Sequence, residues 1–174
     1  MFLIQFNEKY YEKYFIDVLQ QSKIPITFDE KEKYFSKIEI IQQSREIIIK
    51  NNQTTLKLAM PCLVENFFSN LMNIFLDFKV NFQNSHFYPI NNLVIFQNQK
   101  IVLGDIHNKI LTSLILYKTT GIDKFDLYKK IWPLDKDYQI NKLDTHLSNF
   151  KNILMSNIKF EIQFSSSKGI IKLS

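Results

Sequence analysis

Residues 141–154 alternate apolar and polar positions with the period of an α-helix. Four apolar residues recur at spacings of three and four and therefore share one stripe of a helix: Leu143, Leu147, Phe150 and Leu154. The opposite side consists of amides and hydroxyls: Asn141, Thr145, Ser148, Asn149 and Asn152. Lys142 and Lys151 flank that polar side. The polar side is either an ordinary solvated surface in a chain of unusual composition or a surface shaped to enter the major groove of DNA.

Residues 1–80 show the alternation of strands and helices that is typical of a small α/β unit. The strands are predicted at "MFLIQF", at "KIPITF", where Pro25 favours a position at a sheet edge, and on either side of a turn at Asn51–Asn52. Apolar residues at helical spacing predict one helix after Asn7, which can cap it, and a second helix over 64–78.

The chain from residue 86 to 174 has a different pattern. Two short strands, "LVIF" and "KIVL", precede three helices predicted at 105–117, 124–131 and 141–154. Phe125 is among the inward positions of the second helix. Two further strands, joined at a Ser/Lys/Gly tip, close the chain in "IKFEIQFSSSKGIIKLS". Three helices followed by a hairpin is the order of a winged helix, in which the third helix enters the DNA groove and the hairpin reaches the backbone.

Composition excludes several classes of protein. The single cysteine, Cys62, rules out a disulfide framework or a cysteine zinc site and suits a reducing compartment. With only 3 glycines, a Gly-rich phosphate loop is not expected. No apolar run reaches the roughly 18–20 residues that cross a bilayer, and "MFLIQFNEKYYEK" lacks the basic start of a signal peptide. We therefore expect a cytoplasmic protein without a membrane partner.

Basic charge is concentrated in the second half of the chain. The net charge is +5, and residues 101–174 hold 11 Lys against 6 Asp and 1 Glu. Such an excess favours a polyanionic partner about as strongly as it favours a solvated surface. Arg45 is the only arginine among 22 basic residues, which indicates an AT-rich genome that replaces Arg with Lys and many surface residues with Asn. An Asn-rich face is therefore weaker evidence of base recognition than it would be elsewhere.

Four stretches in order resemble the effector domain of OmpR/PhoB-type response regulators. "LGDIHNKIL" resembles the family's L-T-x-x-E-x-x-L-L, and "LYKKIW" resembles its L-x-x-x-V-W. "NKLDTHLSNFKNIL" is similar to the recognition helix R-x-V-D-x-H-I-S-x-L-R-x-K-L, with Lys151 in place of an Arg, and the closing "GIIKL" stands where the family has G-Y-R-L. The resemblance covers residues 86–174 and implies a winged helix-turn-helix domain that binds double-stranded DNA.

The resemblance extends more weakly to residues 1–80, which it implies are a degenerate receiver-like domain. Receiver chemistry requires acids after the first strand to hold Mg²⁺, an aspartate that accepts phosphate, and a lysine that pairs with it. Here the first slot holds Asn7–Glu8, Met60 stands at the lysine position, and no Asp occurs between Glu30 and Asp77. The region is also roughly 40 residues shorter than the resemblance requires. We expect no phosphorylation by the usual route.

The resemblance also implies roles for individual residues. Thr145, Ser148 and Asn149 would face base edges, since Asn suits adenine and hydroxyls are permissive. Four others would contact phosphates: Lys142, His146, Lys151 and Lys168. For His146 a plain boundary residue at the flank of the helix is an equally open alternative. Ser166 of the closing hairpin completes the predicted DNA-binding set.

The residues predict neither catalysis nor a cofactor. The three histidines are scattered through the sequence, at 86, 107 and 146, which argues against a ligand set or a triad. For Asp135 and Asp137, solvation in a loop is favoured over metal binding because Lys136 lies between them. We therefore expect no enzyme activity, no bound metal and no cofactor.

Together these features predict an α+β protein with an α/β receiver-like domain at 1–80 and a winged helix-turn-helix domain at 86–174. The function predicted is that of a DNA-binding transcriptional regulator, independent of phosphorylation and dimeric through its N-terminal domain. The alternative, from another class, is a protein–protein interaction module whose winged helix no longer binds DNA; low Arg content favours this alternative, and the C-terminal lysines oppose it.

Overall fold

The computed structural model describes residues 1–8, 12, 15–17, 19, 22 and 24–174. Helices and strands are mixed along the chain, which confirms the predicted α+β class. Two compact units are formed, by residues 1–78 and 79–174. The helix expected after Asn7 lies largely outside the described residues, although 12, 15–17 and 19 are helical.

The first unit contains a five-stranded sheet with the order β2-β1-β3-β4-β5. Its strands are β1 (Phe2–Phe6), β2 (Ile26–Thr27), β3 (Ser36–Gln43), β4 (Glu46–Lys50) and β5 (Thr55–Ala59). β1 runs parallel to β2 and β3, whereas β3, β4 and β5 pair antiparallel in succession. The predicted edge position of the Pro25 strand is what the sheet shows.

Alternation of buried and exposed positions explains how this sheet packs. On β3 and β4 the isoleucines Ile38, Ile40, Ile47 and Ile49 point to the core, as a period of two requires. The helix α1 (Val64–Asp77) covers that core with Phe67, Leu71, Ile74 and Phe75. Phe2 lies between helix and sheet, with its ring centroid 5.0 Å from those of Phe75 and Phe78.

The order of this sheet is that of a flavodoxin-like fold, but its connections are not. A doubly wound sheet joins parallel strands through crossover helices, which need a dozen or more residues. Here tight turns reverse the chain twice, so β4 runs against its neighbours and only β5 returns to the direction of β1. β4 is therefore a hairpin strand, antiparallel to both β3 and β5.

The second unit opens with a four-stranded antiparallel sheet of β6 (Val80–Phe82), β7 (Ser85–Tyr88), β8 (Leu93–Phe96) and β9 (Gln99–Val102). β6 and β7 were not predicted. The turns Gln83–Asn84 and Gln97–Asn98 have positive φ at both residues, as two-residue hairpin turns of type I′ require. The predicted domain spans of 1–80 and 86–174 stay a prediction; the sheet of this unit begins at Val80.

Three helices follow: α2 (Asp105–Leu116), α3 (Lys124–Ile131) and α4 (Ile140–Ile158). A second sheet has the order β10-β12-β11, formed by β10 (Ile122–Asp123), β11 (Phe164–Ser167) and β12 (Ile170–Leu173). The helices share a core that includes Leu111, Leu114, Leu127, Tyr128 and Phe150. Phe125 was predicted inward, which is wrong: 48% of it is exposed, because it lies in the first turn of α3.

Gly121 holds β10 close to β12. Its φ is +75°, and a Cβ there would lie 2.5 Å from Cγ2 of Ile170 and 3.2 Å from the carbonyl oxygen of Ile171. Only glycine combines this conformation with so close an approach. In the part of the chain that the structure describes, no helix has the length and apolar character needed to span a membrane.

Candidate nucleic-acid interface

The two sides of α4 differ as the sequence predicts. Leu143, Leu147, Phe150 and Leu154 are buried, and Ile158 extends the same stripe. Asn141, Thr145, Ser148, Asn149 and Asn152 are all exposed. The helix continues past the predicted end at 154, so the polar side is longer than the sequence indicated.

The polar side chains at the centre of this surface are largely unengaged. The Thr145 hydroxyl donates to the carbonyl of Asn141 at 2.8 Å, one turn earlier. Ser148 and Asn149 form no side-chain hydrogen bond with any other described residue. Their donors and acceptors therefore face solvent and are available to a ligand.

Lys142, at one margin of the polar side, is bound to its own protein. Its Nζ lies 2.8 Å from Oδ2 of Asp135 and 4.3 Å from the ring centroid of Trp132. The Tyr128 hydroxyl donates to the same carboxylate at 2.7 Å. The hydrogen bond to Asp135 raises the pKa of Lys142, while the bonds from Lys142 and Tyr128 lower the pKa of Asp135. Loop solvation was therefore the wrong expectation for Asp135, which ties the α3–α4 connection to both helices.

Lys151, at the opposite margin, contacts the closing hairpin. Its Nζ lies 4.1 Å from the ring centroid of Phe164 on β11, within cation–π range. This contact joins the middle of α4 to the strand that leads to the hairpin tip. Phe164 was not singled out in the sequence, because nothing in the spacing indicates which ring Lys151 meets.

The tip of the hairpin is a two-residue turn of Lys168 and Gly169, with φ of 50° and 81°. Ser167 and Ile170 form the closing pair of the strands. Lys168 and Ser166 are exposed. The turn geometry thus presents the Lys168 ammonium at the end of the hairpin, where the sequence predicted a phosphate contact.

His146 lies in a ring cluster beside Lys142. Its ring centroid is 5.3 Å from that of Trp132 and 6.0 Å from that of His107, which in turn stacks on Phe150. Burial, followed by the charge of His146, lowers the pKa of His107. His146 is half-buried, so it presents less of its ring than the neighbouring Thr145 presents of its side chain.

A cap begins α3, and an ion pair fixes the start of α3 against α4. Asp123 caps α3 by accepting a hydrogen bond from the Phe125 N–H at 2.7 Å. Lys124 then reaches Asp144 on α4 with an Nζ–Oδ1 distance of 2.6 Å, and its side chain is only 17% exposed. Two ion pairs therefore hold the orientation of α4. Lys124–Asp144 ties it to the start of α3, and Lys142–Asp135 ties it to the α3–α4 connection.

Two positions at which the resemblance implied receiver chemistry, Asn7 and Met60, make contacts within the first unit. The Asn7 side-chain amide donates to the Gln42 carbonyl at 3.2 Å and its oxygen accepts from the Gln42 N–H at 2.9 Å, so it bridges β1 to β3. Cys62 Sγ is 3.8 Å from Sδ of Met60. Among the described residues, no three His, Cys, Asp or Glu side chains converge as a metal site would require.

The structure thus brings together most of the residues predicted to bind DNA. Thr145, Ser148 and Asn149 share one exposed surface, with Lys142 and His146 on one margin and Lys151 on the other. Lys168 and Ser166 belong to the hairpin whose strand meets Lys151. Sequence reasoning missed Asp135, Trp132 and Phe164 as partners of the two lysines.

No family model matches the chain, and a search of curated proteins gave no match. Solved structures gave several. The C-terminal domain of a lantibiotic response regulator, the nisin resistance regulator NsrR, is similar with a TM-score of 0.44 and 21% identity over 53% of this chain and 93% of that domain. A protein from a family of streptococcal redox sensors, described as evolved from two-component response regulators, is similar with a TM-score of 0.44 and 13% identity over 99% of this chain.

A mutant of RitR is similar with a TM-score of 0.44 and 11% identity over 98% of this chain. The chain spans about two thirds of the length of the latter two proteins, covering 66% and 65% of them.

Proposed function

We propose that this chain is a transcriptional regulator that binds double-stranded DNA, an atypical OmpR/PhoB-like response regulator that works without phosphorylation. In this proposal residues 79–174 act as a winged helix-turn-helix domain with α4 as the recognition helix and the β11–β12 hairpin as the wing. The observation that supports it best is the exposed, uncharged centre of α4, where Ser148 and Asn149 have no partner among the described residues.

The roles follow from position on this surface. Thr145, Ser148 and Asn149 face base edges in the major groove. Lys151 and Lys168 contact phosphates on either side of the junction between helix and hairpin, and Ser166 supports them with its hydroxyl. His146 and Lys142 hold the backbone at the other margin, with Lys142 bridging between Asp135 and a phosphate.

The N-terminal unit serves assembly in this proposal rather than phosphoryl chemistry. Asn7 is engaged with the backbone of Gln42, which leaves it unsuited to a metal ligand role. Leu63 and Val64, at the start of α1, are 75% and 63% exposed. We assign to this end of α1 the contact of a homodimer, since regulators of this kind bind repeated half-sites.

Fluorescence anisotropy of labelled duplex DNA with a randomised centre tests the proposal. Binding at low salt is expected, with the logarithm of the association constant falling linearly against the logarithm of salt concentration. Lys151→Ala should flatten that slope by about one unit, as removal of one phosphate contact does. Lys57→Ala, which removes an exposed lysine from β5 in the first unit, is the matched control and should leave the slope unchanged. Absence of binding at low salt would refute DNA binding.

A protein–protein interaction module is the second candidate, and one observation favours it. Large apolar side chains are exposed around the α3–α4 connection: Leu134 at 92%, Phe125 at 48% and Ile140 at 44%. Exposed apolar groups of this size are typical of protein contacts. This candidate predicts no affinity for any duplex and a partner whose binding is lost in Leu134→Asp.

A further inference from the structure

Seven exposed positions lie between Lys142 and Lys151 around the outward arc of α4. They are Asn141, Thr145, Ser148, Asn149, Asn152, Met155 and Ser156. At 3.6 residues per turn these positions fall on adjoining turns of one surface. None of the seven is ionisable, and Asp144, which lies on the same arc beside Lys151 with 47% of its side chain exposed, is paired with Lys124. The centre of the helix therefore presents amides, hydroxyls and one thioether side chain.

The four base pairs differ in what they require of such a surface. Guanine shows two acceptors, O6 and N7, to the major groove, and its bidentate partner is Arg or Lys, whereas a Ser or Thr hydroxyl contacts either purine without discriminating between them. Adenine shows the N7 acceptor beside the N6 donor, which an Asn amide matches with both of its groups. The thymine methyl group is contacted by apolar atoms, which Met155 and the Thr145 methyl supply.

The two lysines of α4 are not placed to supply a guanine contact. Lys142 is held by the Asp135 carboxylate at 2.8 Å and lies over the Trp132 ring. Lys151 lies over the Phe164 ring at 4.1 Å, toward the hairpin. Both ammonium groups are therefore directed to the margins of the helix, where the DNA backbone passes, and away from the centre where base edges lie.

We infer that α4 recognises a run of A·T base pairs in the major groove and makes no specific contact with guanine. This inference rests on the proposed DNA-binding function. Asn149 and Asn152 pair with adenine through N6 and N7, and Met155 contacts a thymine methyl. The substrate class is a duplex whose central half-site consists of A·T pairs, with any G·C pairs confined to flanking positions.

Selection from a pool of duplexes with a randomised centre gives the first test. The full chain should enrich half-sites with A·T pairs at the positions beneath α4. Enrichment of G·C pairs there would overturn the inference and leave the proposed function standing. Failure to bind any duplex of the pool at low salt would overturn both, which separates the two outcomes.

A groove-specific base analogue gives the decisive test on the selected duplex. Replacing one adenine at a time by 7-deazaadenine removes only the N7 acceptor and leaves Watson–Crick pairing intact. At one or two central positions the dissociation constant should rise roughly tenfold, the effect of losing one hydrogen bond. Replacing flanking guanines by 7-deazaguanine is the matched control and should leave affinity within twofold.

The same experiment distinguishes contacts in the major groove from recognition of DNA shape. Narrow minor grooves of A·T tracts attract cationic side chains without any major-groove contact. An A·T preference that is insensitive to 7-deazaadenine at every position would come from groove shape and would overturn the inference.

Variants then assign the contact to its residue. In Asn149→Ala or Asn152→Ala, 7-deazaadenine should no longer weaken binding at one position, because the amide that used N7 is gone. Asn157→Ala is the control, since that amide donates to the Ile153 carbonyl at 2.8 Å and stands outside the outward arc. The assignment would be contradicted if Asn149→Ala and Asn152→Ala kept the wild-type melting temperature and 7-deazaadenine still weakened their binding at every position that matters in the wild type.

Discussion

The two units of this chain use their asparagines in opposite ways. In the first unit, the Asn7 amide makes two hydrogen bonds to the Gln42 backbone and so joins β1 to β3. In the second unit, Asn149 is exposed on α4 without a partner among the described residues. An amide whose donors and acceptors are already used stabilises a fold, whereas one that faces water is available for recognition. The difference indicates where in the molecule binding is expected.

Core substitutions should have the largest effects and should be alike in the two units. Phe150 and Phe2 are both fully buried. Phe150→Ala and Phe2→Ala should each lower the free energy of unfolding of their own unit by about 3–5 kcal/mol, because each leaves a cavity. Chemical denaturation followed by hydrogen exchange of core amides measures this. A loss below about 1 kcal/mol would show that the ring is not packed as described.

The close approach of Gly121 to β12 gives a test of the packing in the second unit. Gly121→Ala places a Cβ against Ile170 in a left-handed backbone conformation, and should cost about 2 kcal/mol of stability. Gly104→Ala is the matched control, since a Cβ there meets nothing within 4 Å. Thermal denaturation of both variants checks the prediction, which equal melting temperatures would contradict.

The two asparagines test the comparison directly. Asn7→Ala should reduce stability by about 1 kcal/mol through loss of its bonds to Gln42, and should leave DNA discrimination unchanged. Asn149→Ala should leave the melting temperature unchanged and lose roughly 1–3 kcal/mol of discrimination at one base position. Denaturation and binding titrations measure both losses. The account would be contradicted if Asn7→Ala and Asn149→Ala lost stability and base discrimination to the same extent.

A smaller effect is expected from His107. Burial lowers its pKa below the ordinary value of 6.5, so the folded unit favours the neutral ring. The associated stability is fully present above about pH 6.5 and declines as the pH falls below it, because the unfolded chain then binds the proton more readily. The melting temperature should therefore fall as the pH is lowered below about 6.5. In His107→Phe, which can still stack on Phe150, this part of the pH dependence should be absent.

No effect is expected from a phosphodonor. Residues 31–76 contain no aspartate, and Met60 stands where the resemblance to receiver domains implies a lysine. Incubation with acetyl phosphate and Mg²⁺ should leave the intact mass unchanged. A phosphoryl increment on a carboxylate of residues 1–80 would show that the first unit retains receiver chemistry.

Helices were predicted from the sequence more accurately than strands. α3 matches its predicted bounds, and α4 its apolar stripe, because a period near 3.6 is sustained over several turns in each. β6, β7 and β10 have two to four residues and a mixed polar pattern, too short for alternation to be recognised. The antiparallel pairing of β4 with β5 agrees with the predicted turn at Asn51–Asn52, whereas the pairing of β4 with β3 was beyond prediction, since burial alternates alike in parallel and antiparallel neighbours.

The candidate site was predictable in outline and not in its contacts. Exposure of Ser148 and Asn149 follows from helical periodicity, which depends on position along the chain alone. The pairing of Lys142 with Asp135, and of Lys151 with Phe164, depends on where a loop and a hairpin return in space. No sequence pattern encodes those distances, although they decide which lysines can approach a base.

An amide-resolved NMR titration of the full chain with a selected duplex tests the account most directly. The account predicts that chemical-shift changes concentrate on the outward positions of 141–156 and on the hairpin at 164–168, while β1, β3 and the amide of Asn7 are unaffected. Saturable changes confined to residues 1–78, or specific binding that leaves α4 unperturbed, would contradict it.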